Sequence, residues 1–305
     1  MSIFANQLGL NITEEKLQLV EIAYNDNLFV LENVEEEFFE EALTFDTKET
    51  KFIHILQNTY NEIALRSSIN TYKVSISLPL NFFKIFELPI DQNLKKKDLT
   101  EYIEWEFAQL FPSELKDNFS FQPYIIDKKE SPSISKAIVY AISKPVLKVL
   151  HKFSVRNNLQ LMSVDNAHIA STSFLQIKNN SENHLSIFLD SRKVSFAVLK
   201  GRQLLHYKQK EYKGILDIPT TVKFLYDEIV KRDLIETSIK NFFISGNTLS
   251  QELINSLEKA LDLTAISLTP FDQISISKNF KNDKFLNGNS TKFSAAAGMA
   301  IRLVS

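Results

Sequence analysis

Asp190-Ser191-Arg192-Lys193 joins two apolar runs, 184–189 and 194–199, and has the outline of a hairpin that holds phosphate. Such a hairpin needs backbone N–H groups pointing inward and no Cβ in the way, so glycine normally fills it. Here the turn holds no glycine. The segment 8–22 has the same shape and the same departure: its turn reads Asn11-Ile12-Thr13-Glu14. Two such hairpins, one opening each half of the chain, imply a duplicated nucleotide-binding architecture whose chemistry has drifted away from the nucleotide. The glycine count agrees, since six in 305 residues is far below the usual ~7%.

The elements that must position these turns are legible from periodicity. Runs 3–12, 16–24 and 27–34 alternate as a strand meander with Asn25-Asp26-Asn27 as a turn. The acidic run 35–41 behind them reads as a solvated edge or loop. Residues 48–67 place Phe52, Ile55, Leu56, Tyr60 and Ile63 on one helical face. Strands are expected at 73–78, 82–88, 119–126 and 137–142, and a second amphipathic helix at 93–111, stopped by Pro112. Ser143 caps a helix with Pro145 in its first turn, 159–164 is a strand, and Asp165 caps the helix that follows. The polar stretch 176–183 marks a boundary, after which 184–189, 194–199 and 203–209 repeat the opening meander. Helices at 218–234 and 249–261, strands at 240–245 and 264–268, and a closing helix at 292–303 complete the chain. Each half reads β-β-β-α-β-α, with 80–142 inserted in the first. The expected division is a first lobe over 1–178, carrying the insert, and a second lobe over 179–305.

The same layout, with several ordered motifs, resembles the actin-like ATPase superfamily and, within it, the type IV pilus assembly PilM family. Val74-Ser-Ile-Ser-Leu-Pro79 and Ile85-Phe-Glu-Leu-Pro89 are similar to its paired strands ending in proline. The helix around Trp105-Glu106, closing on Phe111-Pro112, resembles its Trp-Glu helix. So do Asn158–Asp165, Ile244-Ser-Gly-Asn247, Pro270-Phe271 and the closing Ala295-Ala-Ala-Gly298-Met-Ala-Ile-Arg302. The resemblance implies an α/β, two-lobed actin-like (ribonuclease H-like, duplicated) fold with mixed sheets and a small inserted α+β subdomain in the first lobe. It places a remnant nucleotide site at Asn11, Thr13, Asp165, Asp190, Ser191, Gly246 and Asn247. Active relatives carry Asp-Ile-Gly-Ser where Asn11-Ile12-Thr13-Glu14 stands, and small residues where Arg192 stands.

The resemblance implies no cofactor, with ATP and magnesium as the alternative. It implies a cytoplasmic scaffold, peripheral to the inner membrane, docking the short tail of a PilN-like membrane protein. An actin-fold ATPase or kinase-like enzyme and a GspL-like secretion component are the competing readings. The docking seam is expected between the insert and the first lobe, with Phe82, Phe83, Ile85, Phe86 and Trp105 as partner-binding residues. The insert looks too poor in apolar residues for its own core and so must lean on its neighbour. The five histidines, His54, His151, His168, His184 and His206, have no ligand spacing, so no metal is expected. Net charge of -2 gives no general pull toward nucleic acid. The chain lacks cysteine, a leader pattern and any apolar run near the ~20 residues of a spanning helix.

Overall fold

A computed structural model describes residues 7–25, 28–44, 46–91, 93–126, 134–178, 183–201, 203–231, 239–247, 249–278, 280, 283–286 and 290–302. Asp26 and Asn27 of the expected turn and residues 179–182 of the expected boundary lie outside them.

The first lobe opens with β1 (Gln7–Ile12), β2 (Lys16–Asn25), β3 (Leu28–Phe38), α1 (Glu49–Arg66) and β4 (Lys73–Leu78). The insert follows as β5 (Phe83–Asp91), α2 (Lys96–Leu110), β6 (Phe119–Ile126) and β7 (Ile134–Ser143). The chain returns through α3 (Lys144–Arg156), β8 (Gln160–Asn166), α4 (Ala167–Ser171) and α5 (Ser173–Lys178). The second lobe is β9 (Asn183–Leu189), β10 (Lys193–Lys200), β11 (Gln203–Glu211), α6 (Ile218–Lys231), β12 (Asn241–Gly246), α7 (Gln251–Leu261) and β13 (Thr264–Ser267). A short β14 (Ser275–Ile276) and α8 (Ser294–Ile301) end the fold.

The duplication is visible in strand order. The large sheet runs β14-β3-β2-β1-β4-β8 and the second runs β11-β10-β9-β12-β13. Without β14, each has an antiparallel meander at one side and two parallel strands at the other. Segments 8–22 and 184–199 therefore occupy equivalent positions. Apolar alternation explains each layer. Leu8, Leu10 and Ile12 of β1 face one core with Leu56 of α1 and Phe153 of α3. Leu185, Ile187 and Leu189 of β9 face a second core with Val222 of α6 and Leu257 of α7.

The third sheet, β5-β7-β6, is the insert. Contrary to the composition argument, it has a core of its own: Phe107 and Ile103 of α2 pack on Phe86, Leu88, Phe119 and Val139. The opposite sheet face, with Phe83, Ile138 and Tyr140, joins the first lobe's core. The sheet is apolar on both sides, so it needs both α2 and the first lobe. Tilted and edge-on ring contacts of Phe107 with Phe86, Phe111, Phe119 and Phe121 fill what aliphatic content does not.

Two other elements differ from the sequence reading. β3 continues through the acidic run to Phe38, because its carboxylates have partners on both sides. Glu35 is buried and accepts from Ser67 Oγ at 2.6 Å. Glu36 meets Lys16 at 2.9 Å and Lys292 at 2.6 Å. Burial alone would push the Glu36 carboxyl up; the two ammonium partners outweigh it and hold it below the usual range. The closing segment also returns from the second lobe to the first. β14 pairs with β3, and Phe271, Phe293 and Ala296 pack against Val20, Ile22 and Val34. Phe271, Ile274, β14, Phe293 and α8 thus pack on the first lobe's sheet. The physical reason is the sheet face formed by β1, β2 and β3, on which Val20, Ile22, Leu31 and Val34 supply apolar surface beside the polar Asn11–Gln18 pair.

Helix α8 lies on that face at a spacing only glycine permits. A Cβ on Gly9 would sit 1.8 Å from the Ala296 carbonyl oxygen, and one on Gly298 would sit 1.9 Å from that of Ala170. Gly214, by contrast, has open space where its Cβ would be. Gly9→Ala should therefore lower unfolding free energy by about 3 kcal/mol or more, whereas Gly214→Ala should leave it unchanged within roughly 0.5 kcal/mol. Urea midpoints of the two variants check this.

Candidate functional site

The first hairpin closes upon itself. Thr13 N–H donates to the Lys16 carbonyl at 2.9 Å, and Thr13 Oγ1 accepts from the N–H groups of Glu15 at 3.2 Å and Lys16 at 2.9 Å. Those N–H groups are the donors a phosphate would need. Asn11 is buried and satisfied: its Nδ2 donates to Gln18 at 2.8 Å and its Oδ1 accepts from Ser77 Oγ at 2.9 Å. Asn11 thus belongs to a polar ladder that continues through Gln18 to Glu36. Glu14 points at the cleft side and accepts from Asn81 Nδ2 at 3.1 Å.

The second hairpin meets the first across the short 3-10 turn Leu80–Phe82. Asp190 is buried; its Oδ2 accepts from Leu80 N–H and its Oδ1 from Ser191 N–H, each at 2.9 Å. The Tyr212 hydroxyl donates to the Asp190 carbonyl. Burial pushes the Asp190 carboxyl up, the two N–H groups pull it down, and nearby Glu14 pushes it further up. Gly246 lies beside this turn at φ +134°, where a Cβ would stand 2.2 Å from the Leu189 carbonyl oxygen. Asn247 N–H reaches the same carbonyl at 3.3 Å. The structure therefore brings Thr13, Glu14, Asp190, Ser191, Gly246 and Asn247 to one end of the interlobe junction, and that end carries two carboxylates.

Asp165 stands in the cross-strand row of Asn11 and Ser77, with its carboxylate engaged by another partner. It does not cap the following helix: Asn166 does, its Oδ1 accepting from His168 N–H at 2.9 Å. Asp165 instead pairs with Arg302, just past α8. Asp165 stands one residue before the extended-to-helical change in backbone angles, too early for its side chain to reach the second helical N–H.

One histidine dismissed in the sequence joins the lobes. His168 of α4 is fully buried, with Nδ1 2.8 Å from Ser195 Oγ and Nε2 3.0 Å from Ser186 Oγ. Beside it, Tyr207 donates to Asn166 Oδ1 at 3.3 Å and Ser245 donates to Ser171 at 3.1 Å. Burial depresses the His168 imidazole to about 3. Its sequence signal was its place: a polar residue on an otherwise apolar short helix directly after a cap.

Two clefts flank the insert. One, of about 510 Å³, separates the insert from the first lobe and is lined by Phe83, Phe121, Tyr124, Tyr140, Met162 and Arg302, among others. Its walls are β6 and β8, each the edge of its own sheet. The Tyr140 hydroxyl is buried at this cleft with no hydrogen-bond partner among the described residues. The other cleft, about 540 Å³, lies between the insert and the second lobe, with Ile85, Phe86, Lys210 and Phe224 in its wall. An ion-pair cluster sits beside it: Glu87 meets His206 and Lys136, each at 2.7 Å. Burial pushes Glu87 up, but these two partners hold it at about 2.

The five residues expected to bind a partner are dispersed. Phe83 lines the first cleft; Ile85 and Phe86 line the second. Phe82 is buried against Phe52 in the first lobe's core, and Phe86 also closes the insert's core. Trp105 is 57% exposed and stacks on Tyr102, on the outer face of α2. Alternation along β5 sends Phe83 toward the first lobe's core and Phe86 toward α2, whereas Ile85 and Phe86, though neighbours, both border the second cleft. The cleft residues overlooked in the sequence are Tyr124, Tyr140, Met162 and Arg302. The aromatic alternation of 119–126 was their one available signal.

Comparison of the sequence with family models and with curated proteins gives no match. Comparison of the fold does. A structure of a "PilM-PilN type IV pilus biogenesis complex" superposes with a TM-score of 0.77 over 98% of each chain, at 16% identity. The ethanolamine utilization protein EutJ from Carboxydothermus hydrogenoformans superposes with a TM-score of 0.54 over 97% of this chain and 89% of that one, at 7% identity. The chain has the two-lobed, actin-like α/β fold that PilM has. Among the described residues no helix is long and apolar enough to cross a membrane.

The buried imidazole makes stability pH-dependent in a definite sense. Below pH 6.5 the unfolded chain takes up a proton at this position and the folded chain does not, until about pH 3. Stability should therefore fall on acidification from pH 6.5, by about 1.4 kcal/mol per pH unit for one proton. His168→Gln should be less stable at pH 7 and lack this component between pH 6.5 and 4.5, above the window in which Glu87 titrates. Urea titrations of both proteins across that range would read the difference.

Proposed function

We propose that this protein is a cytoplasmic scaffold of a type IV pilus or related secretion machine, binding the short cytoplasmic tail of a PilN-like inner-membrane protein and no longer binding a nucleotide. The observation that carries the tail reading is the cleft between β6 and β8. Two sheet edges face one groove, and an extended peptide can pair its backbone with such an edge while its side chains enter pockets. Aromatic walls and the unpartnered Tyr140 hydroxyl suit a tail with both apolar and hydrogen-bonding groups. The fold likeness to PilM, whose structure was determined with PilN, supports the same reading.

Loss of the nucleotide rests on the hairpins. Thr13 takes the N–H groups that would grip phosphate, Asp190 is tied to Leu80, and Glu14 adds a second carboxylate nearby. A triphosphate brought here would meet like charge instead of converging donors. Calorimetry with ATP and magnesium should give no heat of binding up to about 1 mM, roughly the affinity of 4 kcal/mol. Micromolar binding would restore the ATPase reading.

For the tail, a photo-reactive residue placed at Met162, which is partly exposed in the groove, should crosslink in the native host. The adduct should map to the N-terminal tail of a single-span inner-membrane protein. The same residue at Leu216, exposed on the second lobe, should give none. Met162→Asp should reduce capture of that partner about tenfold or more, because a docked tail would cover a carboxylate beside Arg302, which is already paired with Asp165. No adduct from Met162, or equal adducts from both positions, would place the partner elsewhere.

A further inference from the structure

Helix α3 carries Lys144, Lys148, Lys152 and Arg156 at intervals of four and no carboxylate, on a chain whose net charge is -2. At 100° per residue these four cations wind through about 120° of the helix surface. The buried face is apolar, with Val146, Val149, Leu150 and Phe153 in the first lobe's core. Lys144, Lys148 and Arg156 are exposed, as are His151 and Val155 between them. Two of the cations have internal partners: Lys144 Nζ donates to the Asp117 carbonyl at 2.8 Å, and Lys152 pairs with Glu49 of α1. Lys148 and Arg156 therefore present the least compensated charge. The same helix borders the β6–β8 cleft through Leu147.

We propose that the outer face of α3 rests on the anionic phospholipid surface of a membrane. The choice of occupant follows from charge and from position. A tail of about ten extended residues reaches at most about 35 Å. If such a tail enters the cleft beside Leu147, the rim of that cleft lies close to the bilayer, and α3 is on that rim. This positional step rests on the tail reading; the charge step does not. Each cation near an anionic leaflet contributes about 1 kcal/mol, which is weak alone. Joined to a docked tail, the same contact becomes intramolecular and its effective concentration rises to the millimolar range. Exposed Val155, flanked by cations, suits a headgroup layer better than a nucleic-acid groove.

The test uses the full chain and vesicles without any partner protein, so its outcome is independent of the crosslink at Met162. At low salt the protein should co-sediment with vesicles of phosphatidylglycerol and phosphatidylethanolamine and not with phosphatidylcholine vesicles. Binding should fall steeply toward about 0.5 M salt, where charges beyond a few ångströms are screened. The K148Q/R156Q variant should partition roughly 30-fold more weakly. Both side chains are exposed, so its thermal midpoint should match the parent. K95Q/K97Q, an equal charge change on α2, should bind as the parent does. Equal sedimentation with neutral vesicles, or equal losses from both double variants, would overturn the proposal. So would displacement from the vesicles by a short DNA duplex at matched phosphate concentration. A crosslink failure at Met162 with vesicle binding intact would remove the tail reading and leave the lipid face standing.

Discussion

The architecture depends on how closely α8 approaches β1 and α4. Gly9 lets the helix backbone reach the sheet, and Gly298 lets α4 reach α8. The residues around them, Ala295, Ala296, Ala297 and Ala300, are small and fully buried, so packing here is backbone against backbone. That contact fixes α4, and α4 carries His168 into the second lobe. The polar stitches across the junction, His168 with Ser186 and Ser195, Asn166 with Tyr207, Ser171 with Ser245, all hang from a helix held by α8. A buried polar network of this kind stabilises only if its members are satisfied together. Here the spacing set by two glycines brings these partners within reach of one another, with Asn166 Nδ2 left without a hydrogen-bond partner among the described residues.

The junction also explains the state of the two hairpins. In a fold that grips phosphate, hairpin N–H groups remain free until the ligand arrives. In this chain they are already bonded: Thr13 closes one turn, and Asp190 ties the other to Leu80 at the entrance to the insert. The lobes are thus linked at this end by an internal hydrogen bond from Leu80 N–H to Asp190. Carboxylates at Glu14 and Asp190 raise the cost of any anion there. A protein with these contacts keeps its lobes together on its own.

The insert is where the fold leaves open clefts. Its sheet is apolar on both faces, and only one face is covered by α2. The uncovered face must meet the first lobe, and the meeting is incomplete, leaving β6 and β8 as facing edges. On its other side the insert meets the second lobe through the Glu87–His206 contact and through apolar packing, Tyr140 lying edge-on to Tyr207.

Much of this was written in the sequence because it depends on local pattern. Alternation at 8–22 and 184–199 gave matching hairpins, and the order of elements gave a duplicated α/β fold with an insert bounded by prolines. The absence of glycine from both turns pointed to altered chemistry before any coordinates. What the sequence could not reveal depends on distant partners. The acidic run looked solvated because Lys292 is 256 residues away from Glu36. Asp165 looked like a cap because its partner, Arg302, is at the other end of the chain. His168 looked ordinary because Ser186 and Ser195 belong to the other lobe. Alternation shows which side of a strand a residue takes, so it could separate Phe83 from Phe86. Only the tertiary structure could say what each side meets, since burial and ion pairing are properties of neighbours brought together by folding.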